Sequence, residues 1–197
     1  MAEAPVPPLV LASTSPYRRA LLERLGLPFA VEAPRVDEGP RPGEAPAARA
    51  RRLALAKARA VAARRPGALV IGSDQVAELE GRPLGKPGDR PRALAQLLAL
   101  AGRRVAFHTG LALVGPGAAE QVDLVPYGVR FRPFGRAEAE AYLDREPAYD
   151  CAGAFRSEGL GIALVERFEG EDPTALVGLP LIRLCRMLEA AGRPVLA

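Results

Sequence analysis

Histidine occurs once in these 197 residues, at His108, and tryptophan not at all. A zinc site of several histidines is therefore excluded, and a Ser-His-Asp triad would have to run through His108. Cysteine occurs twice, at Cys151 and Cys185, too few for a disulfide framework. Nothing around either suggests an activated thiol, so both read as small buried or loop residues. No apolar run approaches the roughly 20 residues of a membrane span. The opening MAEAPVPPLVLAS has neither the basic start nor the apolar length of a secretory signal. A soluble, cytoplasmic protein is expected. Lysine is scarce too: of 27 basic residues only Lys57 and Lys86 are not arginine. Such a bias fits GC-rich coding, and the two lysines that persist mark places where a compact ammonium serves better than a guanidinium fork. With one histidine, any metal must be held by carboxylates, carbonyls and water, which suits magnesium or manganese.

What is present suffices for a core. The chain is 49% hydrophobic and 25% charged, which excludes wholesale disorder, and its length fits one domain over 1–197 with an internal division. Charge is uneven: residues 1–110 carry 18 basic and 10 acidic side chains, a net of +8, and residues 111–197 carry 9 and 13, a net of −4. A basic half fits a phosphate-bearing partner. The isoelectric point near 9.5 admits nucleic acid, but basic runs interleaved with aromatics are missing, which argues against it. A nucleotide-sized ligand is the more economical reading.

Leu9 to Ala12 reads as a buried strand leading into a helix capped by Ser15, with Pro16 at its first position and Gly26 past its end. PFAVEAP reads as a second strand, followed by the acidic loop VDEGPRPGEAP. A long helix from about Ala47 to Arg65 is expected to put its arginines on a solvated face. Ala68 to Ser73 is strand-like and ends in Ser73-Asp74-Gln75; ELEGRPLGKPG reads as a hairpin and a phosphate-sized loop. Then come a helix at Arg90–Ala101, paired strands at Val105–Val114 and Val122–Phe131 joined by a glycine and proline turn, and a helix at Arg136–Arg145. The glycine-rich CAGAFRSEGLG precedes a strand at Ile162–Val165, and a last helix starts near Pro180. This order predicts an α/β fold, a mixed twisted sheet with flanking helices in two lobes around a cleft.

Several of these places carry chemistry. Ser13, Thr14 and Ser15 bring hydroxyls and N–H groups to a helix start, where anions are favoured, with Arg18 and Arg19 in the same turn. GxxxxGK[ST] is absent, which argues against a Walker-type NTPase. Asp74 stands at a strand end and Glu38 in a loop after another strand. Two carboxylates converging on one metal would position and activate a water for attack on phosphorus. Lys86, in a Gly-Lys-Pro turn, would neutralise charge building on phosphates. Singly, each has a structural use as a cap, a turn residue or a solvated charge. His108, in a strand, reads as a structural hydrogen-bonding residue.

LASTSPYRRALLERLGLPF, the VDE of APRVDE, IGSDQV, LGKP, HTGLAL, CAGAFRSEGLG and VGLPLIRLCRML stand in order along nearly the whole chain. Through them the sequence resembles the Maf family of nucleotide pyrophosphatases. The resemblance implies a cytoplasmic α/β protein that uses a divalent cation to hydrolyse the α–β bond of nucleoside triphosphates, releasing pyrophosphate. It puts the proton acceptor at Asp74, and phosphate and metal groups at Ser13, Arg18, Glu38, Lys57 and Lys86. Asp74 as base, or Asp74 as metal ligand with Glu38 as base, both remain open. Both lysines left by the composition argument fall on these motifs.

Specificity positions fall at Tyr17, Gln75 and Glu158. Members acting on dTTP and UTP show threonine after the aspartate, and lysine and glutamine in the later loop. This chain has Gln75, Cys151 and Glu158, which resembles the subgroup acting on 7-methyl-GTP. A ring methylated at N7 is cationic: an aromatic face such as Tyr17 attracts it, Glu158 can accept from the guanine edge, and Gln75 offers both a donor and an acceptor. The alternatives are the same chemistry on dTTP or UTP, or a catalytically silent nucleotide-binding regulator of septum formation. The expected partner is a small-molecule nucleotide, with room for a homodimer and none for a membrane.

Overall fold

The structure, a computed structural model, describes residues 6–116 and 120–196. Residues 1–5 of the opening stretch, 117–119 of the turn expected between the paired strands, and 197 lie outside the described residues. Four buried apolar residues make β1 (Leu9–Ala12). It leads into α1 (Pro16–Glu23), where the Ser15 hydroxyl accepts the Arg18 N–H at 3.4 Å and Pro16 opens the helix. Next come β2 (Phe29–Val31), α2 (Pro46–Ala62), β3 (Leu69–Leu79), β4 (Arg82–Leu84) and α3 (Arg90–Leu100). The long pair β5 (Arg104–Val114) and β6 (Gln121–Phe131) precedes α4 (Arg136–Arg145). Two 3-10 turns, Ala152–Ala154 and Leu160–Leu164, then lead to β7 (Val165–Glu169), α5 (Pro173–Val177) and α6 (Leu181–Ala190).

The strands form one seven-stranded mixed sheet in the order β2-β1-β3-β5-β6-β7, with β4 also on β3. β1 runs parallel to β2 and β3, and the other pairs are antiparallel. This is the α/β architecture read from the sequence. β5 covers one edge of β3 from Val70 to Glu78. The other edge is shared: β1 pairs with Leu69–Gly72 and β4 with Ala77–Leu79. Between them the edge of Ser73, Asp74, Gln75 and Val76 carries no strand, and the ends of β1 and β4 both deliver chain into that gap.

Side chains alternate across β3, so its two faces serve different layers. Gly72 and Asp74 face α2, whose buried stripe is Ala50, Leu53, Ala54, Lys57, Ala58 and Val61. The helix lies close because the sheet beneath it lacks side chains: a Cβ on Gly110 would come 2.2 Å from the Ala50 carbonyl oxygen. On the opposite face, Leu9, Leu11, Leu69, Ile71 and Leu111 pack with Leu22 of α1 and Leu184 of α6. A second core, with Leu97, Leu100, Phe107, Phe131, Tyr142 and Leu143, gathers α3 and α4 around the other half of the sheet. Two lobes thus share continuous strands.

Three expectations need correction. β3 does not stop at Ser73 but continues to Leu79, because β5 supplies its polar segment with ladder partners. The strand expected at Ile162–Val165 is a 3-10 turn through Leu164, with β7 starting at Val165. A further helix, α5, stands before the last one: Asp172 caps it, accepting the Thr174 N–H at 3.0 Å, with Pro173 first and Gly178 closing it in the left-handed region.

Candidate active site

A cleft of about 750 Å³ opens at the gap in β3's edge, within the range of small-molecule sites. Ser13, Tyr17, Arg18, Glu38, Lys57, Asp74, Gln75, Lys86 and Glu158 all line it. The sequence-derived residues therefore meet in one place, although they come from α1, the loop before α2, α2, β3, the turn after β4 and the segment before β7.

At its floor Lys57, buried in α2, extends its ammonium to Asp74 Oδ1 at 2.7 Å and to Glu38 Oε1 at 3.0 Å. Asp74 is held on a strand and nearly buried, its side chain 10% exposed, whereas Glu38 is 55% exposed on a loop. An ammonium between two carboxylates offsets their mutual repulsion and holds them close. Arg18 belongs to the same charge group. Loss of hydration pulls its pKa down from the ordinary value, opposed by Asp74 and Glu38. Its Nε donates to the Gly178 carbonyl at 2.8 Å, the same oxygen that accepts the buried Ser73 hydroxyl at 2.8 Å. The α5 end is thereby tied to both α1 and β3.

The residues around the floor are partly committed. Ser13, buried, accepts the Ser15 N–H at 3.1 Å, which leaves its hydroxyl hydrogen for a ligand. Lys86 is exposed on the cleft wall just past β4. The amide nitrogen of Gln75 faces Thr109 Oγ1 at 3.0 Å and the carbonyls of Ala175 and Leu176 at 2.8 and 2.9 Å. The expected pair of ligand groups on Gln75 is thus reduced to its carbonyl oxygen, because the donors fasten α5 to the sheet. Glu158 lies on the exposed rim with the Ser157 hydroxyl donating to it at 3.2 Å. Tyr17 does not present a bare ring: the Arg156 guanidinium lies 5.2 Å from its centroid. Its hydroxyl donates to Asp150 Oδ2 at 3.2 Å and is pushed up to about 12, chiefly by lost hydration and then by Cys151.

Some lining residues escaped the sequence reading. Arg49 was expected on a solvated face, yet it lines the cleft, and its Nη2 donates to the Glu38 carbonyl at 2.8 Å. Its spacing with Leu53 and Lys57, four residues at a time, was the available signal. Arg35 and Asp150 also line the cleft, with no local pattern to announce them. Outside it, His108 Nε2 meets Glu78 Oε2 at 2.7 Å. Cys151, on the cleft lining, and Cys185, away from it, are both free thiols, raised by burial.

Asp74 and Glu38 each engage Lys57 through one oxygen, so each retains a second one for a cation. Among the described residues no group of three or more His, Cys, Asp or Glu side chains gathers. Two carboxylates completed by phosphate oxygens and water suit magnesium or manganese, so the residues present fit such an ion.

A mixed α/β protein with a cleft lined by arginine, lysine and paired carboxylates at the midpoint of its central strand is the class that fold and site define. The chain belongs to the Maf family: the model described as Maf-like protein matches residues 8–191. It is 58% identical over 190 residues to a 7-methyl-GTP pyrophosphatase of Albidiferax ferrireducens, covering 95% of each chain. It is 60% identical over 186 residues to a protein of the same name from Polaromonas sp., covering 94% of this chain and 85% of that one. A third of that name, from Nitrosococcus oceani, is 56% identical over 195 residues and 98% of each. The crystal structure of a nucleoside-triphosphatase / dITP/XTP pyrophosphatase from Mycobacterium abscessus aligns with a TM-score of 0.42 and 20% identity, covering 93% of this chain and 94% of that one. At that distance it adds nothing to the family assignment. No helix among the described residues is long and apolar enough to cross a membrane.

Proposed function

We propose that this chain is a cytoplasmic nucleoside triphosphate pyrophosphatase that hydrolyses 7-methyl-GTP to 7-methyl-GMP and pyrophosphate, clearing a modified nucleotide. The observation that carries the reading is the distribution of charge in the cleft. Arg18, Lys57, Lys86, Arg35 and Arg49 outnumber Asp74 and Glu38 around the floor, whereas residues 150–158 contribute the carboxylates of Asp150 and Glu158. A ligand with an anionic tail and a cationic ring matches both ends, and 7-methyl-GTP is such a ligand. The names of relatives at 56–60% identity agree.

In this reading Asp74 accepts the proton of a water attacking phosphorus in line, because a strand fixes it and the Lys57 ammonium at 2.7 Å orients it. Glu38 would then hold a magnesium or manganese ion, which would supply charge neutralisation on the phosphates; if Asp74 is the ion's ligand instead, Glu38 is the base. Lys86 and Arg18 take up charge that builds on the leaving pyrophosphate. Ser13 donates to a phosphate oxygen, Glu158 accepts from the guanine edge and Gln75 offers its carbonyl oxygen.

Pyrophosphate release from 7-methyl-GTP, GTP, dTTP and UTP, with magnesium or manganese, tests this in wild type and Asp74→Asn. 7-methyl-GTP is expected to be preferred, with the substitution lowering its turnover by roughly 10²–10⁴-fold. Preference for dTTP or UTP would overturn the base assignment and keep the chemistry. Binding without hydrolysis of any of the four would replace the enzyme by a nucleotide-binding regulator.

A further inference from the structure

Behind the wall that Tyr17 gives to the cleft lies a run of side chains for which the chemistry above has no use. Arg156 is not among the cleft-lining residues, yet its guanidinium covers the Tyr17 ring and its Nη2 donates to the Tyr17 hydroxyl. Its Nη1 lies 3.5 Å from Glu146 Oε1, and Nη2 lies 3.7 Å from Asp150 Oδ1. Loss of hydration opposes the Arg156 charge, but Tyr17, Cys151 and Glu146 raise its pKa on balance. Glu146 is itself largely buried, its side chain 14% exposed, and accepts the Gly161 N–H at 3.2 Å. A Cβ on Gly159 would come 2.1 Å from Glu146 Oε1, so any other residue there would have to displace that carboxylate from its present place. One carboxylate therefore holds the segment 156–161 that carries Glu158, and Arg156 reaches from it across to α1 in the other lobe.

We propose that Glu146 and Arg156 are positioning residues for base recognition, resting on the reading of the function just given. They fix Tyr17 and Glu158 relative to each other before a nucleotide arrives, so that binding does not have to order them. The planar fork is what the place requires: it stacks on a ring and bonds in its own plane at the same time, which a lysine cannot do. With Glu146 and Asp150 flanking it, the Arg156 charge is over-compensated, and the cluster stays attractive to a ring that carries positive charge.

The test compares wild type, Arg156→Met and Arg156→Lys in kcat and KM for 7-methyl-GTP, and in inhibition by inorganic tripolyphosphate, which has no base. For Arg156→Met the KM is expected to rise about tenfold while kcat stays within about threefold, with inhibition by tripolyphosphate unchanged. Arg156→Lys should fall between the two, with KM raised and tripolyphosphate inhibition again unchanged. If Arg156→Met does not fold, Arg156→Lys carries the comparison alone. An unchanged KM in a folded variant overturns the proposal, and so does an equal weakening of tripolyphosphate, which would make the pair a general structural brace. The parent reading fails separately, when wild type prefers another triphosphate. The positioning role is then judged on that nucleotide's KM by the same comparison.

Discussion

Gly72 lies so close beneath Ala54 that a Cβ on the glycine would come 2.1 Å from the alanine's carbonyl oxygen. The neighbouring Ala58 nitrogen would be 2.8 Å away, so the obstacle is helix backbone and cannot swing aside. Gly72→Ala must lift α2 from the sheet and carry Lys57 away from Asp74. Overpacking of this kind is expected to lower Tm by about 5–10 °C and to reduce pyrophosphate release in the protein that still folds. Thermal melts and turnover on one preparation check both, and a variant as stable and active as wild type contradicts this account of helix docking.

Lys57→Met leaves Asp74 nearly buried without its counter-charge. A loss of about 3–5 kcal/mol in urea unfolding is expected. Adding Asp74→Asn removes the stranded charge and should recover most of that loss, although the double variant stays inactive. Additive losses would mean that the two side chains do not depend on each other.

The loop that carries Glu38 is clamped by Arg52, which donates to the Gly39 carbonyl at 3.1 Å and to Glu44 at 2.7 Å. Hydrogen bonds from Arg52, working against lost hydration, hold the Glu44 carboxyl down at about 2, against an unfolded value of 4.5. A depressed carboxylate stabilises the fold fully above its unfolded pKa, and that contribution disappears as pH falls from 4.5 towards about 2. Glu44→Gln is therefore expected to flatten the dependence of the urea midpoint on pH between those values. An acid limb identical to wild type would place the sensitivity elsewhere.

Much of the fold was legible because local signals agreed with tertiary ones. Ser15-Pro16 opened α1, and the alanine-rich stripe around Lys57 gave α2. β3 was read too short because Ser73, Asp74 and Gln75 interrupt its apolar run. The polarity of Asp74 and Gln75 reflects the cleft and that of Ser73 its bonds to the Gly110 and Gly178 carbonyls, and the partner that keeps all three extended comes from β5, more than thirty residues on. α5 had its signals in Asp172-Pro173 and Gly178, but five residues make a weak pattern. The residues that meet in the cleft were legible as motifs. What they touch was not: nothing local to Gln75 says that its amide faces α5, and nothing near Arg156 says that it lies over Tyr17.

The gap along β3 has one more consequence. The end of the cleft proposed for hydrolysis is set into hydrogen-bonded sheet and a docked helix, where a displaced residue disturbs a whole lobe. The end proposed to meet the base draws Tyr17 from α1 and Gln75 from β3, but its carboxylates come from 3-10 turns and irregular chain between Tyr149 and Leu160, anchored through a few side chains. On the proposed function, inherited change can accumulate in that irregular chain without touching bond cleavage. A lineage built on this plan could then alter which nucleotide it removes from the pool while keeping its way of removing it.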